Sequence, residues 1–196
     1  HLTFPGNIRP GKPWQSIIIP VSMTKNKEHF LSVIVPVYKQ AQTIRQDIYS
    51  IFDTLERIRY SYELIVGVDG TECDYSFAEA KKLQLKNLKV IGYEHNHGKG
   101  YALRYAMARS KGDYIAFIDS GMEIDPNGLS LILEHLEWYQ ADIIVGSKHH
   151  PASLVNYPLE RKIISFGAYL FSRLLLGINI HDTQAGLKLF RRPVLE

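Results

Sequence analysis

The sequence predicts one α/β domain, a mostly parallel β-sheet flanked by helices. Short β-branched apolar runs recur along the chain, amphipathic stretches of about ten to fifteen residues separate them, and several runs stop abruptly at Asp or Gly. A strand apolar on both faces needs cover on both, which right-handed crossover helices supply. With 196 residues, 45% of them hydrophobic, the chain is large enough for one sizeable core.

Residues 1–29 are rich in Pro, Gly, Lys and Asn and are expected to form an N-terminal extension, with Ser16–Val21 its one short strand segment. The domain is expected to cover 30–196. Leu31–Tyr38 reads as a buried strand closed by Pro36. Ile44, Ile48, Ile51, Phe52 and Leu55 then recur at helical spacing and predict a helix over about 43–59. Tyr62–Asp69 is a second strand, 75–85 a short helix and Leu88–Tyr93 a third strand. The glycine-punctuated loop His95–Gly100 leads into a helix over 101–109, and Gly112 precedes the strand 113–119. Pro126, suited to a first helical turn, starts a helix through Leu129, Ile132, Leu133 and Leu136. Residues 141–147 read as a further strand, and His181–Arg192 as a polar loop running into a short strand-like segment.

Pro158–Ile180 has little polar face between Arg161-Lys162 and Arg173. It reads either as a buried core helix or as a helix on a membrane surface with its cations at headgroup level. No window approaches the ~18 charge-free apolar residues of a membrane span. The net charge of +3 is too mild, and Lys and Arg too scattered, to argue for nucleic acid. A single cysteine, Cys73, excludes an intrachain disulfide and a Cys-rich zinc site and suggests a reducing compartment. The first residue, His1, and the last residues, 191–196, suggest a processed or trimmed piece, so an anchor is expected in missing segments if anywhere.

In a parallel sheet the ends after Val37, at Asp69 and at Asp119 converge on one edge, where open α/β folds bind ligands. Asp119, at the end of the apolar run Tyr114–Ile118 and followed by Glu123 and Asp125, is the candidate centre. A carboxylate there suits a base N–H, a ribose hydroxyl or a divalent cation that neutralises a diphosphate. Asn96-His-Gly-Lys-Gly100 before a helix suits a phosphate, although it matches neither the P-loop nor the dinucleotide pattern. His95, His97, His149 and His150 lack metal-ligand spacing, and no nucleophile elbow or Cys/His pairing supports hydrolase chemistry.

In this order, Ser32–Tyr38, Val68–Asp74, Asn96–Gly100, Ile118–Gly121, Gly146–Lys148 and Asp182–Arg192 resemble the motifs of family 2 inverting glycosyltransferases of the GT-A fold, a Rossmann-like sheet. Within it they are most similar to polyprenyl-phosphate sugar transferases of the dolichol-phosphate mannose synthase type. The resemblance implies a nucleotide-diphosphate-sugar donor, a polyprenyl phosphate acceptor, Mg²⁺ or Mn²⁺, and a peripheral place at the cytosolic membrane face. It implies donor contacts from Pro36, Tyr38, Gln40, Asp69, Gly98, Lys99, Asp119, Ser120 and Gly121. It places Lys148, Arg191 and Arg192 at acceptor or phosphate groups, and Asp119 and Asp182 in the catalytic role, with Asp182 orienting an acceptor that is already ionised. Asp119 and Glu123 are the implied metal ligands.

The chain departs from the family pattern where it counts. Gly121 stands where the second Asp of Asp-x-Asp is usual, Val68-Asp-Gly-Thr71 replaces Val-Asp-Asp-Gly, and Gln40 replaces an acid. Each change removes negative charge or moves a ligand, so Glu123 is expected to stand in for the missing Asp. Two alternatives remain: a nucleotide-sugar-binding relative or partner module without full activity, and a transferase to a soluble saccharide.

Overall fold

The computed structural model describes residues 26–121, 124–146 and 185–195. In chain order its elements are β1 (Asn26–Val37), α1 (Ile44–Arg57), β2 (Tyr60–Asp69), α2 (Ser76–Lys81), β3 (Leu88–Tyr93), α3 (Lys99–Met107), β4 (Tyr114–Ile118), α4 (Gly128–Trp138), β5 (Ile143–Val145), β6 (Leu187–Arg191) and a 3₁₀ turn (Arg192–Val194). The strands form one sheet in the order β3-β2-β1-β4-β6-β5. The first four are mutually parallel, and β6 runs antiparallel to both β4 and β5. This is the mostly parallel α/β sheet that the sequence predicts.

Residues 31–37 of β1 are buried without a break, as a central strand covered on both faces requires. Successive side chains face opposite ways. Leu31, Val33, Val35 and Val37 therefore join one core with Ile44, Ile48 and Leu55 of α1 and Leu129, Leu133 and Leu136 of α4. Ile34 joins the other with Ile65, Ile115 and Ala106 of α3. The three layers are thus α1, α2 and α4, the sheet, and α3.

The order reverses at β1: β2 and β3 lie on one side, and the chain then crosses to β4 on the other. A crevice opens at such a switch point, outside the carboxyl ends of the strands. Val37, Asp69 and Ile118 end β1, β2 and β4 there.

Several boundaries differ from expectation. β1 starts at Asn26 and takes in residues 26–29 of the expected extension; an irregularity between Asn26 and Phe30 keeps it paired with β2, and Phe30 N–H donates to Asp113 Oδ2 at 2.8 Å. α3 begins at Lys99, because the N–H groups of Tyr101 and Ala102 already bond the carbonyl of Gly98. β5 keeps three residues of the predicted 141–147, since at the sheet edge β6 alone pairs with it among the described residues. Ser16–Val21 and Pro158–Ile180 lie outside the described residues. Among the described residues no helix is long and apolar enough to cross a membrane.

Candidate active site

The crevice holds a cavity of about 520 Å³. Eight of the nine expected donor-contacting residues line it: Pro36, Tyr38, Gln40, Asp69, Gly98, Lys99, Asp119 and Ser120. Val37, Asn96, Ala102 and Ile124 join them. The ninth, Gly121, lines a recess of about 10 Å³ that Asp119, Ser120 and Ile124 also border.

Asp69 is 3% exposed, and its charge is met by three donors. The Tyr93 hydroxyl and the His97 N–H both donate to Oδ1 at 2.8 Å, and Asn96 Nδ2 donates to Oδ2 at 2.7 Å. The carboxylate ending β2 therefore ties down the loop that carries Gly98 and Lys99. Burial, then the hydrogen bond to Asp69, pushes the Tyr93 phenol well above its ordinary pKa, so Tyr93 stays a neutral donor.

Asp119 faces Lys99 across the crevice. Lys99 Nζ lies 2.6 Å from Oδ1 and 2.7 Å from Oδ2, with the two side chains 54% and 33% exposed. An ion pair this open is worth at most about 1 kcal/mol, so a phosphate competes easily for Lys99. Lys99 also opens α3, whose first turn carries no acid, so helix terminus and ammonium present one positive end to the cavity.

The turn after β4 is fixed at several points. Asp119 N–H donates to the Gly186 carbonyl at 2.9 Å, and the Ser120 hydroxyl shares its one proton between two acceptors, the Pro36 carbonyl at 3.0 Å and Gln40 Oε1. Gly121 N–H donates to Asp47 Oδ2 at 3.1 Å. Gly121 has φ +104°, which L side chains rarely adopt, and a Cβ there would lie 3.3 Å from Gln40 Nε2. The missing second Asp is thus a matter of backbone shape: this turn is built for glycine.

Three residues of the site went unassigned in the sequence. Asp47 is 2% exposed in the first turn of α1, where the helix dipole favours an acid; among the described residues its Oδ1 has no hydrogen-bond partner. It passes in the sequence for one polar position of an amphipathic helix. Gly186 packs so tightly that a Cβ would lie 2.6 Å from Asp119 Oδ2 and 2.4 Å from Ile124 Cδ1. Asp74 accepts from Ala41 N–H at 3.1 Å, Ser76 N–H at 3.0 Å and Ser76 Oγ at 2.8 Å, while Ser76 Oγ accepts from Gln40 N–H at 2.7 Å. Asp74 thereby clamps the loop after β1 to the start of α2. Burial raises its pKa, but the Ser76 and Ala41 hydrogen bonds outweigh this and hold it below the ordinary value. The Asp74-x-Ser76 spacing before a helix is the signal that marks this clamp.

Arg191 and Arg192 are not at the site. Because β6 is antiparallel, Arg191 pairs with Tyr114 at the amino end of β4, the far edge of the sheet from Asp119. Arg191 Nε donates to the Ala141 carbonyl at 3.0 Å, and Arg192 Nε to the Gly112 carbonyl at 2.7 Å. Neither lines the cavity; they brace the turns before β4 and β5. Asp125 accepts the Asn127 N–H at 2.9 Å at the start of α4. Glu123, Lys148, Asp182, His149 and His150 lie outside the described residues.

Mg²⁺ and Mn²⁺ take oxygen ligands, and Mg²⁺ sites commonly use one or two carboxylates completed by water and substrate phosphates. Asp119 fits such a donor set: it is half-buried, borders the cavity and already attracts the Lys99 ammonium across both oxygens. Among the described residues no group of three or more His, Cys, Asp or Glu could hold an ion. The protein's share of the site would then be Asp119 with whatever Glu123 adds.

A sequence profile of "Glycosyl transferase family 2" matches residues 32–196. The chain is 29% identical over 171 residues to "Glycosyltransferase AglD" of Haloferax volcanii, covering 85% of this chain and 27% of that protein. It is 29% identical over 177 residues to the "Dolichyl-phosphate beta-glucosyltransferase" of Drosophila melanogaster, covering 83% and 54%. The chain thus spans about a quarter and about half of these two relatives. Among solved structures, glucosyl-3-phosphoglycerate synthase of Mycobacterium tuberculosis with Mn²⁺, UDP-glucose and phosphoglyceric acid superposes with TM-score 0.62 at 20% identity, covering 86% of this chain and 58% of that one. The mannosyltransferase PcManGT of Pyrobaculum calidifontis with GDP-Man and Mn²⁺ superposes with TM-score 0.60 at 17% identity, covering 94% and 49%. At these identities the superpositions establish a shared fold.

Proposed function

Since the chain belongs to glycosyl transferase family 2, we propose that it moves a sugar from a nucleotide-diphosphate donor to a polyprenyl phosphate, with inversion at the anomeric carbon. The observation that carries this reading is the meeting of Asp69, Lys99 and Asp119, from three different elements, on one cavity at the switch point. The printed name of the Drosophila relative supports the lipid acceptor.

In this reading Pro36, Tyr38 and Asp69 receive the base and ribose. Tyr38, 46% exposed at the rim, offers a flat face to the base. Lys99 leaves Asp119 for the diphosphate, assisted by the first turn of α3. Asp119 would hold the divalent cation, with Glu123 as second carboxylate. When bound, that ion neutralises charge on the departing diphosphate. The acceptor phosphate oxygen attacks the anomeric carbon from the face opposite the diphosphate; the new C–O bond forms as the bond to the diphosphate breaks. A phosphate is already ionised near neutral pH, so Asp182 orients it and need not take a proton, and Lys148 pairs with its charge. The protein works at the cytosolic membrane face, where Pro158–Ile180 meets the lipid.

The test is incubation with nucleotide-sugars, Mn²⁺ and a short-chain polyprenyl phosphate, with mass spectrometry of the organic phase. A lipid-linked sugar is expected; sugar transferred only to soluble saccharides would overturn the acceptor. Gly121, at its positive φ, favours a second reading in which the chain binds nucleotide-sugar without transfer. That reading requires binding with no product of either kind.

A further inference from the structure

Asp47 is a buried carboxylate for which the reading above has no use. It stands in the first turn of α1, 2% exposed, and borders the recess of about 10 Å³ that Asp119, Ser120 and Gly121 also line. Its Oδ2 accepts the Gly121 N–H at 3.1 Å, while its Oδ1 has no hydrogen-bond partner among the described residues. A polar atom buried without a partner is costly, the more so when it is charged, and calls for a partner that arrives with a ligand.

The recess defines what that partner is. Its side chains carry no unspent donor: the Ser120 proton is shared between the Pro36 carbonyl and Gln40 Oε1, Asp47 and Asp119 accept, and the aliphatic and proline side chains do neither. The volume is close to the least that holds one water. Such a water can give its protons to carboxylate oxygens, yet it finds no side-chain donor for its own lone pairs. A divalent cation satisfies those lone pairs, and Mg²⁺ in particular keeps several of its waters when it binds protein.

Charge points the same way. Lys99 Nζ meets both oxygens of Asp119, at 2.6 and 2.7 Å, and among the described residues no ion pair reaches Asp47. Once Lys99 turns to a diphosphate, two carboxylates share the recess without a counter-charge, and one divalent cation matches both.

We propose that Asp47 is a positioning residue for the divalent cation: Asp119 binds the ion, and Asp47 Oδ1 accepts a hydrogen bond from one of its waters lodged in the recess. This rests on the cation reading of Asp119 given above. Asp47 thereby brings a second negative charge from α1 to a turn in which Gly121 carries none, while its Oδ2 holds the shape of that turn.

The test is Mn²⁺ binding by the wild type and by Asp47→Asn, read from the loss of the free-ion EPR signal, beside calorimetric titration with UDP as a metal-free diphosphate probe. Asparagine keeps one oxygen for the Gly121 N–H, but its amino group then stands in place of Oδ1 and cannot accept. Mn²⁺ affinity is expected to fall about tenfold or more, the usual cost of losing a partner behind a metal ligand. Metal-free UDP affinity should not fall, since only a negative charge has gone, and the metal-free melting temperature should stay close to that of the wild type. Unchanged Mn²⁺ affinity in Asp47→Asn would overturn this role and leave the nucleotide-sugar reading standing. A joint loss of Mn²⁺ affinity, metal-free UDP affinity and melting temperature would also overturn it, because Asp47 would then serve only the fold of the turn. A wild type that binds no Mn²⁺, with or without UDP, would remove this role together with the cation at Asp119.

Discussion

Asp119 keeps its place because the residues around it leave it no other. Gly186 contacts its carboxylate so closely that Gly186→Ala would drive a methyl to 2.6 Å from Oδ2. That change is expected to cost about 1–3 kcal/mol in urea unfolding, the range for overpacking, and to weaken Mn²⁺ binding. Asp47 holds the other side of the turn. Asp47→Ala would remove the acceptor of the Gly121 N–H and is expected to cost about 0.5–1.5 kcal/mol, whereas Asp47→Asn keeps an acceptor oxygen and should lose much less. Asp74 gives the pH signature. Its folded pKa is depressed, so its stabilisation is fully present above the unfolded value of about 3.9 and is lost as pH falls through the folded value. Stability measured from pH 6 to pH 2 should therefore fall less steeply in Asp74→Asn than in the wild type, from a lower starting point. Asp69 and Asp119 stand where apolar runs stop, and Lys99 stands in a glycine-punctuated loop before a helix, so all three positions were visible in the sequence. Asp47 and Gly186 were not: what singles them out is a neighbour distant in sequence, Gly121 for one and Asp119 for the other.

At the scale of elements, periodicity located the parallel part of the sheet well. β3 occupies the predicted Leu88–Tyr93, and the predicted runs contain all or most of β2 and β4. What periodicity carries no information about is direction. The strand-like end of His181–Arg192 reads the same in either orientation, and the antiparallel pairing of β6 with β4 takes Arg191 and Arg192 to the far edge. Their role there is structural. Arg192→Ala should lower stability by removing the donor to the Gly112 carbonyl, while nucleotide affinity in a thermal-shift titration stays at the wild-type value. A loss of nucleotide affinity at preserved stability would return the residue to the site. The start of α3 at Lys99 was missed for a different reason: glycine on both sides of a lysine reads as loop, yet the carbonyl of Gly98 already accepts the first helical bonds.

For the molecule as a whole, the proposed donor pocket is the cavity at the reversal of strand order. The proposed acceptor residues, Lys148, Asp182 and Pro158–Ile180, lie outside the described residues. Those two halves are separable by experiment. Flotation with liposomes containing anionic lipid should carry the chain to the lipid fraction if Pro158–Ile180 meets the membrane, and a chain that stays at the bottom leaves the segment as core. The central claim concerns Asp119, and its most direct test is the transfer rate of Asp119→Asn beside its melting temperature. A loss of about a hundredfold or more in transfer is expected, with a melting temperature close to that of the wild type because the Lys99 pair is exposed and weak. Transfer at the wild-type rate from a correctly folded Asp119→Asn protein would contradict it.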